Sequence, residues 1–137
     1  MLPFGGKLNP KNRWIRLTRL IPWEEFEEKY AENFADTDMG APAKPFRVAL
    51  GSLIIKERQK ITDRETVEQI KENPYLQYLI GNEAFSDEEP FDASMMVHFR
   101  KRITGDMLRE INERIHIEEV KKNDKKKKQL KKKKMLK

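Results

Sequence analysis

The chain has 137 residues and no cysteine, which leaves room for one modest domain and excludes disulfides and thiolate zinc sites. No apolar run approaches the length of a membrane span, and the N-terminus lacks the pattern of a secretory signal, so we expect a cytoplasmic protein with no membrane segment. The net charge of +6 is uneven, since residues 121–137 hold eleven lysines and one acid, a net +10 that leaves residues 1–120 at −4.

The first half of the chain carries helical patterns on both sides of a loop. Asn9 and Pro10 predict the start of a helix, and Pro22 ends it. The next helix has an aromatic stripe among glutamates, which favours core packing because negative charges repel phosphate: Trp23, Phe26, Tyr30 and Phe34. Residues 36–45 have the composition of a loop. Phe46 opens the most apolar helix, which we expect at the centre of the core.

Short capping signals divide the second half of the chain. Thr62 and Glu65 have the spacing of a capping box. Asn73 and Pro74 predict the start of another helix, and Gly81 suits the position just after its end. No useful stretch alternates between polar and apolar residues, as a strand would. The sequence therefore predicts an all-α, compact multi-helix domain with six or seven helices.

Residues 90–103, PFDASMMVHFRKRI, predict a short helix with two different faces. Asp92 is a natural N-cap, because its carboxylate can accept from free N–H groups of the first turn. Apolar residues form the back of this helix: Met95, Met96, Phe99 and Ile103. Polar and basic residues form its front and its end: Ser94, His98, Arg100, Lys101 and Arg102.

Two interpretations of this basic helix stay open. A capped helix with a basic front suits the major groove of DNA. The same pattern fits a surface helix whose charges are solvated or paired with the acidic body, for example with Glu88 or Glu89. From these residues alone the second interpretation is favoured, since short basic helices are common.

The end of the chain has a different character. Thr104, Gly105 and Asp106 predict the start of a last helix. Beyond about Val120 the chain offers little to bury, and its like charges repel one another. We therefore expect a domain over residues 1–120 and a disordered, lysine-rich, low-complexity tail over residues 121–137.

Catalytic and metal-binding patterns are missing from the sequence. His98 and His116 have no metal-ligand spacing, and the serines lie in no nucleophile elbow. The residues therefore favour neither an enzyme active site nor a metal or cofactor site.

Several blocks resemble a known family. Residues 49–81, ALGSLIIKERQKITDRETVEQIKENPYLQYLIG, and residues 90–103 closely resemble the N-terminal domain of bacterial insertion-sequence transposases of the DDE type. Residues 16–34, RLTRLIPWEEFEEKYAENF, are similar to the opening segment of the same group. The resemblance covers residues 10–115, and the blocks occur in the family's order.

The resemblance implies a DNA-binding module of helix-turn-helix character that recognises the terminal inverted repeats of a transposon. It places the reading helix at Asp92–Ile103, with its basic end at His98, Arg100, Lys101 and Arg102. Asp63–Lys71 and Asn73–Ile80 would support it. The family's catalytic domain is RNase-H-like and uses two aspartates and a glutamate to hold divalent metal ions.

The chain stops where the linker to that catalytic domain would begin, so we expect a truncated, non-catalytic fragment. The lysine repeats imply runs of adenine in the coding strand, which promote slippage. A decayed gene copy and the product of a programmed frameshift are both consistent with this ending, and the decayed copy is favoured.

Three functional hypotheses follow. The leading one is non-catalytic binding to transposon ends through the Asp92 helix. The second is a protein–protein module that forms homo-oligomers, or mixed oligomers with full-length transposase, through Trp23–Phe34 or exposed methionines: Met95, Met96 and Met107. The third is binding of RNA or any polyanion by the lysine-rich tail, without sequence specificity.

Overall fold

A computed structural model describes residues 2–34 and 45–136, and it is all-helical over these ranges, which confirms the predicted fold class. A 3-10 turn at Pro3–Gly6 precedes seven α-helices in the described ranges: α1 (Arg13–Leu20), α2 (Trp23–Phe34), α3 (Phe46–Gln59), α4 (Asp63–Glu72), α5 (Pro74–Leu79), α6 (Met95–Arg102) and α7 (Gly105–Met135). Apart from Pro45, the loop predicted at residues 36–45 lies outside the described residues, as does the side chain of Phe34. None of these helices is both long and apolar enough to cross a bilayer.

Helix α3 lies at the centre of the core, as its composition predicts. It packs against α2, α4, α5 and α6, and Ala49 and Leu50 are fully buried. A Cβ atom built on Gly51 would lie 3.1 Å from Cγ2 of Ile80, so glycine lets α3 and the end of α5 approach closely. Gly81 then turns the chain away with a φ of +98°, which confirms its predicted place after the helix end.

Local capping signals locate the starts of α4 and α5. Oγ1 of Thr62 accepts from the N–H of Glu65 at 3.1 Å, and Oδ1 of Asn73 accepts from the N–H of Tyr75 at 2.9 Å. No reciprocal bond from the N–H of Thr62 to Glu65 occurs among the described residues, and Oε1 of Glu65 accepts from Nε2 of Gln69 at 3.4 Å. Both predicted helix starts are confirmed.

The first helix begins at Arg13, later than predicted. Asn12 caps it, with its Oδ1 accepting from the N–H of Trp14 at 2.8 Å. The other asparagine, Asn9, donates its N–H to the hydroxyl of Tyr75 at 3.1 Å. The side chain of Asn9 caps the preceding turn instead, because its Oδ1 accepts from the N–H of Lys11 at 2.9 Å.

The prediction of a disordered lysine-rich tail is wrong for the described residues, since α7 continues through it to Met135. Thr104 caps this helix, with its Oγ1 accepting from the N–H of Met107 at 3.2 Å. No proline or further glycine follows Gly105, and lysine is a good helix former. Extending an existing helix avoids the nucleation cost, which explains the continuation despite charge repulsion. Beyond Val120 every described side chain on α7 is exposed.

Candidate nucleic-acid interface

Helix α6, the predicted reading helix, begins at Met95 and not at Asp92. Asp92 accepts the N–H of Ser94 on its Oδ1 at 2.9 Å, and this hydrogen bond lowers the pKa of the Asp92 carboxyl. Asp92 therefore stabilises the turn that leads into α6, and Ser94 occupies the N-cap position without a side-chain capping bond.

The apolar back of α6 faces the core, as predicted. Met96, Phe99 and Ile103 are buried, and the rings of Phe91 and Phe99 meet edge to face with centroids 5.1 Å apart. Met95 is partly buried against the same cluster. This packing fixes which side of the helix is left for solvent.

Arg102 lies on the buried side of α6, which corrects its prediction as a DNA contact. It is only 2% exposed and interacts with Tyr30 of α2 through a side-chain hydrogen bond. Burial raises the pKa of the Tyr30 hydroxyl, and the positive charge of Arg102 opposes this shift. Arg102 follows Phe99 by one helical turn, so the two side chains share a face. It cannot reach a base edge while α6 stays packed.

Arg100 points outward but is held by an acid. Its Nη1 and Nη2 atoms donate to Oδ1 and Oδ2 of Asp63 at 2.8 and 3.0 Å, a bidentate pair. Lys56 approaches the same carboxylate, with Nζ 3.3 Å from Oδ1. The hydrogen bond from Arg100 is the main cause that lowers the pKa of Asp63. The expected pairing with the acidic body thus occurs, but with Asp63 of α4 and not with Glu88 or Glu89.

Three of the predicted site residues do share an accessible side of α6. Ser94 and Lys101 are exposed, and His98 is partly exposed. Val97, 45% exposed, lies among them. We call these four residues the α6 edge.

The predicted supporting helices do not form a standard helix-turn-helix with α6. Residues 80–94 separate α5 from α6, whereas the standard motif has a turn of about three to four residues. Helix α6 packs on α3 and α2 instead. A short turn does join α3 to α4 at residues 60–62, but the exposed side of α4 carries Glu65 and Glu68, which would repel phosphate.

A second basic surface, not predicted from the sequence, lies between α1, the end of α3 and the lysine-rich part of α7. It is a groove of about 710 Å³ whose floor includes the buried residues Trp14, Leu17 and Leu20. Glu119 is the only acid among the residues that line it. Five exposed cations line this groove: Arg13, Arg16, Arg58, Lys122 and Lys126. We call it the α1–α7 groove.

The cations of the α1–α7 groove have no carboxylate partner within the described part of the chain. Arg13 packs instead on an aromatic ring, with Cζ 5.1 Å from the centroid of Trp14. Some cations elsewhere are paired with acids, for example Arg114, whose Nη1 lies 2.6 Å from Oε1 of Glu25. The groove therefore has a net positive charge, with five cations and one acid among its lining residues. The weak sequence signal for it was the pair Arg13 and Arg16, one turn apart on α1.

Most of the apolar side chains predicted to contact protein partners are internal, and a protein partner stays a prediction. Phe26, Tyr30, Met96 and Met107 are buried in the core. Trp23 and Met95 are partly buried and pack against that core. Within residues 2–34 and 45–136, no three His, Asp or Glu side chains lie close enough together to hold a metal ion.

The fold and its surfaces define an all-helical domain that buries its apolar faces and displays cations on α6, α1 and α7. Residues 3–102 match the transposase domain family DUF772, and the chain belongs to that family. The DDE type of the suspected transposase stays a prediction.

The chain also resembles one curated protein over most of its length. The chain is 38% identical over 104 residues to an uncharacterized protein, ORF8 in the nfe locus of Rhizobium meliloti. The aligned part is 76% of this chain and 49% of the relative, so the chain spans about half of the relative's length. No solved structure matches the chain. The lysine-rich part of α7 lies outside the residues that match the family.

Proposed function

We propose that this domain binds DNA at the terminal repeats of a transposable element, as a non-catalytic part of a DDE-type transposase. Membership of the transposase domain family supports a role in transposition. One observation carries the DNA-binding part of the proposal: the α1–α7 groove gathers five exposed cations that have no carboxylate partner within the described residues, although residues 1–120 are net negative. Such local cationic surfaces attract phosphate even when the overall field is weak.

The α6 edge is the surface that we propose for reading bases. Helix α6 has eight residues, a length of about 12 Å, which is comparable to the width of the major groove. Lys101 can donate to guanine O6 and N7, and Ser94 and His98 can form shorter polar contacts. Arg100 stays in its pair with Asp63, and Arg102 has a structural role.

We assign no strand cleavage to this region. Two-metal phosphoryl transfer needs a set of converging carboxylates, and the described residues bring no such set together. The domain would position a transposase on its DNA, and phosphate contacts would supply most of the affinity.

Selection from a random duplex library tests this function. The full chain at about 0.15 M salt is expected to enrich one common sequence. The double variant His98→Ala/Lys101→Ala should lose roughly tenfold of its preference for that sequence over a scrambled duplex. Lys128→Ala, on the exposed part of α7, is the control, and it should weaken binding to the selected and the scrambled duplex equally. The proposal fails if no sequence is enriched, or if both variants keep the preference.

A further inference from the structure

The α1–α7 groove combines three features that a single ligand chemistry explains. Five cations and one acid line it, together with the buried apolar side chains of Trp14, Leu17 and Leu20. Phosphodiester backbones alternate anionic phosphates with apolar sugar faces, so they match cationic walls over an apolar floor. A neutral or apolar ligand would leave the charges of Arg16, Arg58 and Lys122 unbalanced.

The cationic surface continues far beyond the groove, which indicates a polymer. From Glu119 to Lys134 helix α7 extends about 22 Å at 1.5 Å per residue. Lysines cover this length, with Asp124 as the one acid after Glu119. A single phosphate or mononucleotide would contact only the groove. Duplex DNA carries one charge per roughly 1.7 Å of axis, so it can match the whole row.

We infer that the α1–α7 groove seats the phosphodiester backbone of duplex DNA, with Arg16, Arg58 and Lys122 contacting successive phosphates. This inference rests on the proposed function and adds to it a backbone site separate from the α6 edge. The contacts to α1 and α3 come from the part of the chain that matches the transposase family, whereas the contacts from α7 lie beyond it.

Repulsion within the groove gives a reason for this site to require an anion. Like charges one turn apart destabilise a helix, and Lys122 and Lys126 on α7 are such a pair. Arg13 and Arg16 are similarly placed on α1, and α1 packs against α7. A bound phosphate backbone removes this repulsion from both helices at once.

Two matched triple variants test the inference in the full chain, with a fluorescent duplex and binding measured by anisotropy over a range of salt concentrations. The groove variant is Arg16→Gln/Arg58→Gln/Lys122→Gln. The control variant is Lys7→Gln/Arg19→Gln/Arg64→Gln, which removes two arginines and one lysine, as the groove variant does, from exposed positions that lie neither in the groove nor on the lysine-rich part of α7. Circular dichroism checks that both variants keep the helical fold.

The groove variant is expected to bind DNA at least roughly tenfold more weakly than the control variant at about 0.1 M salt. The slope of log K against log salt concentration should become shallower by about 2.7, which is about 0.9 for each of the three lost phosphate contacts. Equal losses in both variants would overturn the inference, because only net charge would then matter. Polyglutamate of equal total charge serves as a competitor. If it displaces the labelled DNA as effectively as unlabelled duplex does, the inference is also overturned.

Failure of the proposed function gives a different result. If the unmodified chain binds no duplex at any salt, the function itself fails, and the groove site with it. If the chain binds DNA and the two triple variants behave alike, the function stands and only the groove site fails.

Discussion

The corner between α4 and α6 and the α1–α7 groove are both basic, but they differ in whether their cations have partners. At the corner, Asp63 holds Arg100 in a bidentate pair and lies within ion-pair distance of Lys56. In the groove, Arg16, Arg58 and Lys122 have no such acid within the described residues. The number of basic residues in a segment therefore says little about its affinity for phosphate. The local balance of carboxylates decides which cations are available.

The largest expected effect concerns the orientation of α6, on which this comparison depends. Phe99 is fully buried beside Phe91. Phe99→Ala should lower the free energy of unfolding by about 3–5 kcal/mol, measured by urea denaturation. The exposed neighbour Val97 is the control, and Val97→Ala should change stability by about 0.5 kcal/mol or less. Similar losses from both variants would mean that α6 is oriented differently.

Arg102 is expected to matter for folding and not for DNA binding. Arg102→Ala removes a buried cation that hydrogen-bonds to Tyr30, so the free energy of unfolding should fall by about 1.5–3 kcal/mol. Urea denaturation measures this loss. Binding by the remaining folded fraction should be unchanged. Unchanged stability together with weaker DNA binding would instead restore Arg102 as a DNA contact.

Removing the acid at the corner should make it more like the groove. Asp63→Asn releases Arg100 and Lys56, so DNA binding should strengthen a few-fold, with a salt slope steeper by about 0.9 for one new phosphate contact. Stability should fall by about 0.5–1 kcal/mol, because the lost pair is partly exposed. Asp106→Asn is the control, since Asp106 pairs with Arg109 away from both sites. Equal DNA binding by Asp63→Asn and the unmodified chain would contradict the assigned role of Asp63.

The ion pair between Asp63 and Arg100 should make the stability of the fold depend on pH. In the folded chain the pKa of Asp63 is lowered from its ordinary value of 3.8, chiefly by the hydrogen bond from Arg100. The pair therefore stabilises the fold above that ordinary value, and this stabilisation is lost as the pH falls below it. Melting temperatures of the unmodified chain and Asp63→Asn should differ at about pH 6 and converge toward about pH 2. A constant difference across this range would contradict the pairing.

The smallest expected effect concerns the lysine-rich part of α7. Salt at about 0.5 M shortens the Debye length to roughly 4 Å, which weakens repulsion between residues such as Lys128 and Lys132. The helical circular-dichroism signal should rise slightly from about 0.05 M to about 0.5 M salt. Lys128→Glu replaces a like-charge pair with an opposite one, so the rise should shrink. A helical circular-dichroism signal that falls as salt is added would contradict the claim that repulsion between lysines destabilises α7.

Features that depend on neighbouring residues were predictable from the sequence. Thr62, Asn73 and Gly81 mark helix ends through contacts with the next few residues, and their positions are confirmed. The central place of α3 followed from its nearly continuous apolar surface. The tail was not predictable by the same reasoning, because its composition argues for disorder while continuity with α7 argues for helix.

The surfaces depend on tertiary contacts that local patterns do not contain. Asp63 and Arg100 are 37 residues apart, so no local pattern links them. Arg102 was predicted to face solvent because it is charged. Its position three residues after the buried Phe99 places it on the same, buried side of α6. Arg16 and Lys122 come from opposite ends of the chain, and only the packing of α1 on α7 brings their helices together.

The most direct test compares two single variants of equal charge change. Salt titrations of DNA binding by Arg16→Gln and Arg100→Gln separate the groove from the corner. We expect the log K against log salt slope to fall by about 0.9 for Arg16→Gln and to stay unchanged for Arg100→Gln. A smaller slope for Arg100→Gln, with no change for Arg16→Gln, would contradict the claim that unpaired groove cations hold the DNA backbone.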